Sequence, residues 1–298
     1  MKKLLVTLLL FICTFSLARA SVSLDVQSDY VIMENEFLKV TLSPQRGGIV
    51  DSCIDKETQK ELLNKFSQSF GEVGGLATLR MANQGWPGAE MDRAKFQVVA
   101  QEVNADFARV TVGYLSASEK NQGLYVTKEF LLKANERFIT VKLSFSNQGR
   151  SEHTFSPWIH NIIATKHTFL ARTNGPKVFA PGADYFYEPG RNWIGGVDPQ
   201  DGGLLYANVD YNQVLRFYFC YWSGYHSFEW VYNSVTLLPN ESWSTTFSYA
   251  MNNGLVRADF ASPELAAGLD RGQKELELQL LPNKTLGLAN LKVCAINP

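Results

Sequence analysis

Alternation of apolar and polar residues is the dominant pattern along this chain. Its clearest example has apolar residues at every second position: Ile139, Val141, Leu143 and Phe145. Successive side chains of a β-strand point to opposite faces of a sheet, so this segment is predicted to be a strand with one buried face. Residues 275–280 alternate in the same way and predict another strand of this kind.

Six further segments have strand character. They are Phe37–Leu42, Phe107–Leu115, Leu124–Leu132, Val214–Phe219, Val235–Leu238 and Trp243–Met251. Clusters of glycine, proline and asparagine between them predict turns. Two short stretches favour helix, Thr58–Phe66 and Pro263–Leu269, the second with Ser262 as its N-cap. Together the segments predict an all-β fold, a large antiparallel sandwich or barrel.

The first twenty residues have the organisation of a signal peptide. Lys2 and Lys3 precede an apolar run at Leu4–Leu17, and Ala18-Arg19-Ala20 supplies a cleavage site. The run is shorter than the ~20 residues that a membrane span requires. We therefore expect a protein exported by a cleavable signal peptide, periplasmic or secreted, with no membrane contact afterwards.

Residues 21–298 are predicted to form one domain, because they contain no internal repeat and no long Pro/Ser linker. The longest irregular segment is Pro181–Gly203. It is rich in aromatic residues, so a packed functional loop is expected there.

Composition narrows the classes of partner. The 298-residue chain is 45% hydrophobic and 19% charged, with a formal net charge of −1. These values exclude general disorder and give no electrostatic reason to expect nucleic acid. Cys53, Cys220 and Cys294 allow at most one internal disulfide and are otherwise expected to be small buried residues. Neither the cysteines nor the histidines show the close spacing of metal ligands, so no metal site is expected.

Three separated segments share an arrangement with one known family. The first, Glu34–Val50, leads through Pro44 to a Gly47-Gly48 turn. The second runs from Thr127-Lys128-Glu129-Phe130 to Trp158-Ile159-His160-Asn161, and the third runs from Phe228-Glu229-Trp230 to Leu237–Trp243. In this order they resemble the galactose mutarotase-like proteins, related to the aldose 1-epimerases. The resemblance implies a divergent member with their large antiparallel β-supersandwich fold.

The resemblance also implies a catalytic pair, with Glu229 as general base and His160 as general acid. In the mutarotases the glutamate takes a proton from the anomeric hydroxyl of a sugar, and the histidine gives one to the ring oxygen. Histidine suits the second role because its ordinary pKa is about 6.5. No cofactor is needed for this chemistry, and none is expected.

Aromatic residues provide a second indication of a carbohydrate ligand. Nine of the sixteen residues from 217 to 232 are aromatic, and strand alternation cannot send all of them into one core. Amphipathic rings suit a partly wet ligand site. The predicted substrate-binding residues are Arg80, Trp158, Asp184, Trp193 and Trp230. Among them, Arg80 follows Gly74-Gly75, where the resemblance implies a sugar-binding arginine.

The predicted function is that of an exported carbohydrate-active protein. If the protein is an enzyme, it is expected to be an isomerase of the aldose 1-epimerase type, which interconverts sugar anomers. The chain lacks the Gly-Arg and Asn-Arg signature of the aldose epimerases, and no histidine precedes His153. These departures favour a different sugar, a larger glycan or a site that binds without turnover. The alternatives are therefore a non-catalytic glycan-binding protein of the same fold and an accessory protein of polysaccharide degradation. The partner is a mono- or oligosaccharide, and the sequence does not specify an oligomeric state.

Overall fold

The computed structural model of the protein describes residues 21–63, 74–84, 90–163, 168–172, 176–178, 183–198, 200, 202–222, 225–255, 258–271 and 276–284. Strands dominate this part of the chain. In chain order they are β1 (Ser23–Val26), β2 (Val31–Glu34), β3 (Leu38–Ser43), β4 (Ile49–Asp55), β5 (Lys60–Glu61), β6 (Gly75–Met81), β7 (Gln97–Val103), β8 (Phe107–Leu115), β9 (Leu124–Lys133), β10 (Phe138–Asn147), β11 (His153–Phe155), β12 (Pro157–Ile163), β13 (Thr168–Arg172), β14 (Pro176–Val178), β15 (Ala183–Tyr187), β16 (Trp193–Val197), β17 (Gly203–Val209), β18 (Val214–Trp222), β19 (Tyr225–Tyr232), β20 (Val235–Leu237), β21 (Ser242–Asn253), β22 (Phe260–Ala261), β23 (Leu265–Arg271) and β24 (Leu276–Pro282). Within the described ranges the helices are α1 (Glu90–Arg93) and the 3-10 helices Ala82–Gln84 and Tyr211–Gln213.

Two large sheets form a sandwich. The front sheet has the strand order β1-β2-β3-β4-β6-β12-β19-β18-β15, with β5 paired to β4. The back sheet has the order β14-β13-β16-β17-β21-β10-β9-β8-β7. Neighbouring strands run antiparallel at the centre of both sheets. Smaller sheets pair β11 with β20 and join β22, β23 and β24.

The main core lies between the inner faces of the two large sheets. Trp230 of the front sheet is fully buried there, with its ring centroid 5.2 Å from that of Phe247 and 6.2 Å from that of Tyr249 in the back sheet. A smaller apolar cluster lies between the back sheet and the three-stranded sheet, and it includes Phe138, Trp193 and Tyr206. The predicted strands of the sandwich are confirmed, and β10 buries the alternating residues that the sequence indicated.

Three local predictions are wrong. Residues 263–269 form no helix, because Ser262 Oγ accepts the backbone N–H groups of Glu264 and Leu265 in a turn that leads into strand β23. Residues 58–63 contain strand β5 instead of helix, and residues 64–66 lie outside the described ranges. The segment 181–203 contains strands β15 and β16, so it is not one long loop.

The alternation at residues 275–280 correctly predicts strand β24 but not its burial. Leu278 and Leu280 are 42% and 38% exposed, since β24 is an edge strand of a three-stranded sheet and no other sheet in the described ranges covers these two side chains. Cys53 and Cys220 are both buried, and no disulfide bond joins these two described residues. Cys294 and the predicted signal peptide at residues 1–20 lie outside the described ranges. Among the described helices, none has the length and apolarity to cross a membrane.

A buried hydrogen-bond network around Asn161 joins the two sheets behind strand β12. The carbonyl oxygen of the Asn161 side chain accepts the Tyr249 hydroxyl at 2.6 Å and the backbone N–H of Ala77 at 3.0 Å. The Asn161 amide donates to the carbonyl of Phe228 at 2.9 Å. Ala77 lies at a register shift between β6 and β12 and has a φ of 59°, a left-handed conformation that is costly for a residue with a Cβ. The network therefore stabilises a strained bulge at Ala77 in β6.

A buried lysine secures the same bulge from the back sheet. The Lys128 ammonium of β9 donates to the carbonyls of Ala77, Gly47 and Gly48 at 2.7, 2.8 and 3.2 Å. Burial lowers the pKa of Lys128 to about 7, although the carboxylate of Asp92 acts in the opposite direction. Gly47 has a φ of 76°, and a Cβ there would lie 2.6 Å from the Asp92 carbonyl oxygen, so only glycine fits.

Lys128 is expected to make stability depend on pH. Its pKa of about 7 in the folded state is below the ~10.4 of an unfolded chain, so the unfolded state binds more protons between these values. The free energy of unfolding should therefore rise from pH 6.5 to pH 8.5, by at most ~1.4 kcal/mol per pH unit from this group. Lys128→Met should remove this contribution in urea titrations.

Lys142→Met is the matched control, since Lys142 is exposed on the neighbouring strand β10. It should keep the pH profile of the original protein. Identical pH profiles for Lys128→Met and the original protein would contradict the prediction.

Candidate functional site

Three adjacent strands of the front sheet, β6, β12 and β19, carry the candidate site. His160 of β12 and Glu229 of β19 lie directly opposite each other in the antiparallel ladder, and Thr78 of β6 lies opposite His160 on the other side. His160 Nε2 lies 3.1 Å from Glu229 Oε1. Their side chains are 0% and 1% exposed. The structure thus brings together the two residues predicted as acid and base.

The side chains of the pair point away from the main core, to the outer face of the front sheet. Asn161, next to His160, points the other way and reaches Tyr249 of the back sheet. Phe228 and Trp230, on either side of Glu229, are both buried in the main core. Since successive residues of a strand face opposite sides, His160 and Glu229 share the outer face.

The carboxylate of Glu229 is anchored through one oxygen. Oε1 accepts the hydroxyl of Ser227, which is two residues earlier on the same strand face, and it also lies at the His160 imidazole. Oε2 is buried and has no hydrogen-bond partner among the described residues. A buried carboxylate oxygen without a partner is costly, so this atom is suited to receive a proton from a ligand hydroxyl.

A second charged pair lies beside the first. Arg80 Nε of β6 is 3.3 Å from Asp92 Oδ2 of α1, and the two side chains are 3% and 2% exposed. Burial raises the pKa of Asp92, while the positive charges of Arg80, Arg93 and His160 act to lower it. Asp92 is therefore within electrostatic reach of both Arg80 and the His160 imidazole.

The helix that supplies Asp92 is fixed by a carboxylate. Glu90 accepts hydrogen bonds from the Tyr114 hydroxyl at 2.7 Å, Ser116 Oγ at 2.6 Å and Asn121 Nδ2 at 3.0 Å, and a further one from Ser118. Partial burial alone would raise the pKa of Glu90, but these hydrogen bonds outweigh it and lower the pKa. The acidic residues of α1 and Ser227 were not predicted from the sequence. Strand alternation would have identified Ser227, because it shares a face with Glu229.

The other predicted site residues have different positions. Trp158 is half-buried on the outer face, next to Arg80 in the β6–β12 ladder, with its ring edge-on to Tyr218 at 6.5 Å. The backbone of Asp184 pairs with that of Cys220, and its side chain lies outside the described part of the structure.

Two tryptophan predictions are corrected by the structure. Trp230 cannot serve as a sugar platform, because it is fully buried between the two sheets, on the opposite face of β19 from Glu229. Trp193 is 3% exposed and belongs to the smaller cluster behind the back sheet. Within the described ranges, no group of three or more histidine, cysteine or acidic residues could hold a metal ion.

Solved structures of low sequence identity share this fold. A TPR-domain containing protein from Parabacteroides distasonis has a TM-score of 0.58 at 17% identity, over 74% of this chain and 46% of that protein. A galactose mutarotase-like protein from Clostridium acetobutylicum has a TM-score of 0.56 at 13% identity, over 79% and 99%. A galactose mutarotase related enzyme from Lactobacillus acidophilus has 0.55 at 10% identity, over 75% and 97%. No protein-family model matches the sequence, and no curated protein matches it. The predicted fold class is confirmed.

The Arg80–Asp92 pair is expected to be necessary for stability. Asp92→Asn removes the carboxylate charge from beside a buried guanidinium, which should lower the free energy of unfolding by about 3–5 kcal/mol. Asp51→Asn is the matched control, because Asp51 pairs with Arg46 at the surface, where such a pair contributes about 0–1 kcal/mol. Equal losses in the two variants, measured by urea unfolding, would contradict this expectation.

Proposed function

We propose that this chain, which shares the fold of galactose mutarotase-like proteins, is an exported carbohydrate-active protein that moves protons at the anomeric centre of a sugar. The observation that carries the proposal is the buried His160–Glu229 pair on the outer face of the front sheet. Export is part of the proposal because residues 1–20 have the pattern of a signal peptide.

The proposed reaction opens and closes a sugar ring. Glu229 Oε2 takes the proton of the anomeric hydroxyl, the bond from C1 to the ring oxygen breaks, and the ring oxygen keeps the electron pair. His160 donates a proton to that oxygen, which leaves an open-chain aldehyde. After rotation about the C1–C2 bond the same oxygen attacks the other face of C1. His160 then recovers its proton, and Glu229 returns its own to the anomeric oxygen.

The surroundings of the pair support these roles. Ser227 holds Oε1 of Glu229, while Oε2, to which no group in the described part of the chain is hydrogen-bonded, is the atom left for a sugar hydroxyl. Asp92 lies within electrostatic reach of His160 and places an acidic side chain beside the reacting pair. Preorganised groups of this kind need little rearrangement when charge develops in the transition state.

Glycan binding without turnover is the second candidate function. It is favoured by the 3.1 Å distance between His160 Nε2 and Glu229 Oε1, which leaves no room for a sugar ring between the two groups. A pair that stays in direct contact would anchor sugar hydroxyls and catalyse nothing. This candidate includes an accessory role in polysaccharide degradation.

Glu229→Gln is expected to reduce anomer interconversion by about 10²-fold or more while sugar binding stays within a few-fold, because the amide keeps the shape and loses the base. NMR exchange between α and β anomers, across a panel of aldoses, measures the turnover. Glu102→Gln, at an exposed glutamate of β7, is the matched control and should leave the rate unchanged. Full activity in Glu229→Gln would exclude Glu229 as the base. Binding of the panel without any exchange in the original protein would establish the second candidate.

A further inference from the structure

A row of aromatic side chains crosses the outer face of the front sheet, starting beside the His160–Glu229 pair. The rings belong to Trp158 of β12, Tyr218 of β18 and Phe186 of β15. The ring centroids of Trp158 and Tyr218 are 6.5 Å apart, and those of Tyr218 and Phe186 are 4.4 Å apart. We call these three residues the aromatic row.

The aromatic row is continuous with the candidate site. Tyr218 is the ladder partner of Glu229, so its side chain lies next to the carboxylate on the same face. Trp158 is two residues from His160 on the same strand and is the ladder partner of Arg80. The Trp158 and Tyr218 side chains approach each other across β19, the strand between theirs. Val231 of β19 is the ladder partner of Trp158 and is buried on the same outer face.

Exposure increases along the aromatic row with distance from the pair. Trp158 and Tyr218 are partly buried, while Phe186 is 59% exposed. The guanidinium carbon of Arg216 lies 5.0 Å from the Phe186 ring centroid and adds hydrogen-bond donors at the outer end. A connected strip of rings that ends in an exposed phenylalanine differs from the single apolar residues of an ordinary surface.

The dimensions fit a chain of sugars better than one sugar. The row passes from β12 over β19 to β18 and β15, and its successive centroid distances of 6.5 and 4.4 Å give it a length of at most about 11 Å. This length exceeds one pyranose ring. Pyranoses have apolar C–H faces that stack on aromatic rings and hydroxyls at their rims that reach polar groups such as Arg216.

We propose that the aromatic row binds the further residues of an oligosaccharide whose terminal sugar lies at the His160–Glu229 pair. This inference rests on the proposed function and specifies its substrate class: a neutral oligosaccharide of about three residues, in place of a free monosaccharide. Phe186 and Arg216 form the distal end of the site, and Trp158 forms the end nearest the reacting sugar.

Phe186→Ala tests this proposal. Calorimetry on neutral gluco-, galacto-, manno- and xylo-oligosaccharides of one to four residues should find a series that binds about tenfold or more tightly at three residues than at one. Phe186→Ala should remove most of that gain and leave the affinity for the monosaccharide unchanged, because the variant alters only the distal end. Phe260→Ala is the matched control, since Phe260 is a 50% exposed phenylalanine on β22 of the three-stranded sheet, and it should change nothing.

Several results would overturn the proposal. They are equal affinity for one and three residues, absence of binding in all four series, and equal effects of Phe186→Ala and Phe260→Ala. A Phe186-dependent change in the solution mass of the protein, with glycan binding unaltered, would identify the row as a contact between protein chains instead.

The same experiment separates this inference from the proposed function. Glu229-dependent exchange of anomers without any gain from chain length would leave the proposed chemistry standing and exclude the aromatic row as a binding surface. A Phe186-dependent gain from chain length without exchange of anomers would confirm the binding surface and exclude the catalytic proposal.

Discussion

The ammonium group of Lys128 is the constraint on which the candidate site depends. It reaches across the core from the back sheet and holds three carbonyls, two from the Gly47-Gly48 turn and one from Ala77. Ala77 is held at its other end by Asn161 and Tyr249. Its left-handed backbone persists because both ends of the residue are bonded from two sheets. The bulge at Ala77 sets the register of the rest of β6, which brings Thr78 opposite His160 and Arg80 opposite Trp158.

A second set of contacts fixes the charge beside the pair. Glu90 collects donors from β8 and the turn that follows it, and so fixes a helix of only four residues. Such a helix has almost no stability of its own. Its position, and with it the position of Asp92 beside Arg80, comes from these side-chain hydrogen bonds. The site therefore rests on two buried networks, one behind the front sheet and one beside it.

Much of the fold could be predicted from the sequence, because a strand with one solvent-facing side alternates apolar and polar residues, as β10 does. The helix predictions failed at Thr58–Phe66 and Pro263–Leu269 because a short polar–apolar segment satisfies more than one period. Ser262 illustrates the ambiguity, since its hydroxyl accepts the same N–H groups in a strand-forming turn that it would accept at a helix start. Leu278 and Leu280 were predicted to be buried but are exposed, because burial requires a covering sheet and no local sequence pattern specifies one.

The candidate site could be predicted only in part. The resemblance to a known family supplied His160 and Glu229, while their contact depends on the ladder between β12 and β19, which alternation alone does not define. Trp230 was assigned to the same surface as Glu229, although adjacent residues of a strand cannot share a face. Asp92 and Glu90 belong to a helix too short to have a periodic signal.

Because His160 and Glu229 oppose each other in one ladder, the site depends on the register between β12 and β19. His160 and Glu229 are far apart in sequence, yet their contact is set only by the hydrogen bonds between two adjacent strands. The loops that connect strands can change in length without moving either side chain. Loss or gain of a single residue within β12 or β19, in contrast, would turn one member of the pair into the core. The protein can therefore vary in the length of its loops, whereas the number of residues within β12 and β19 is fixed by the contact between His160 and Glu229.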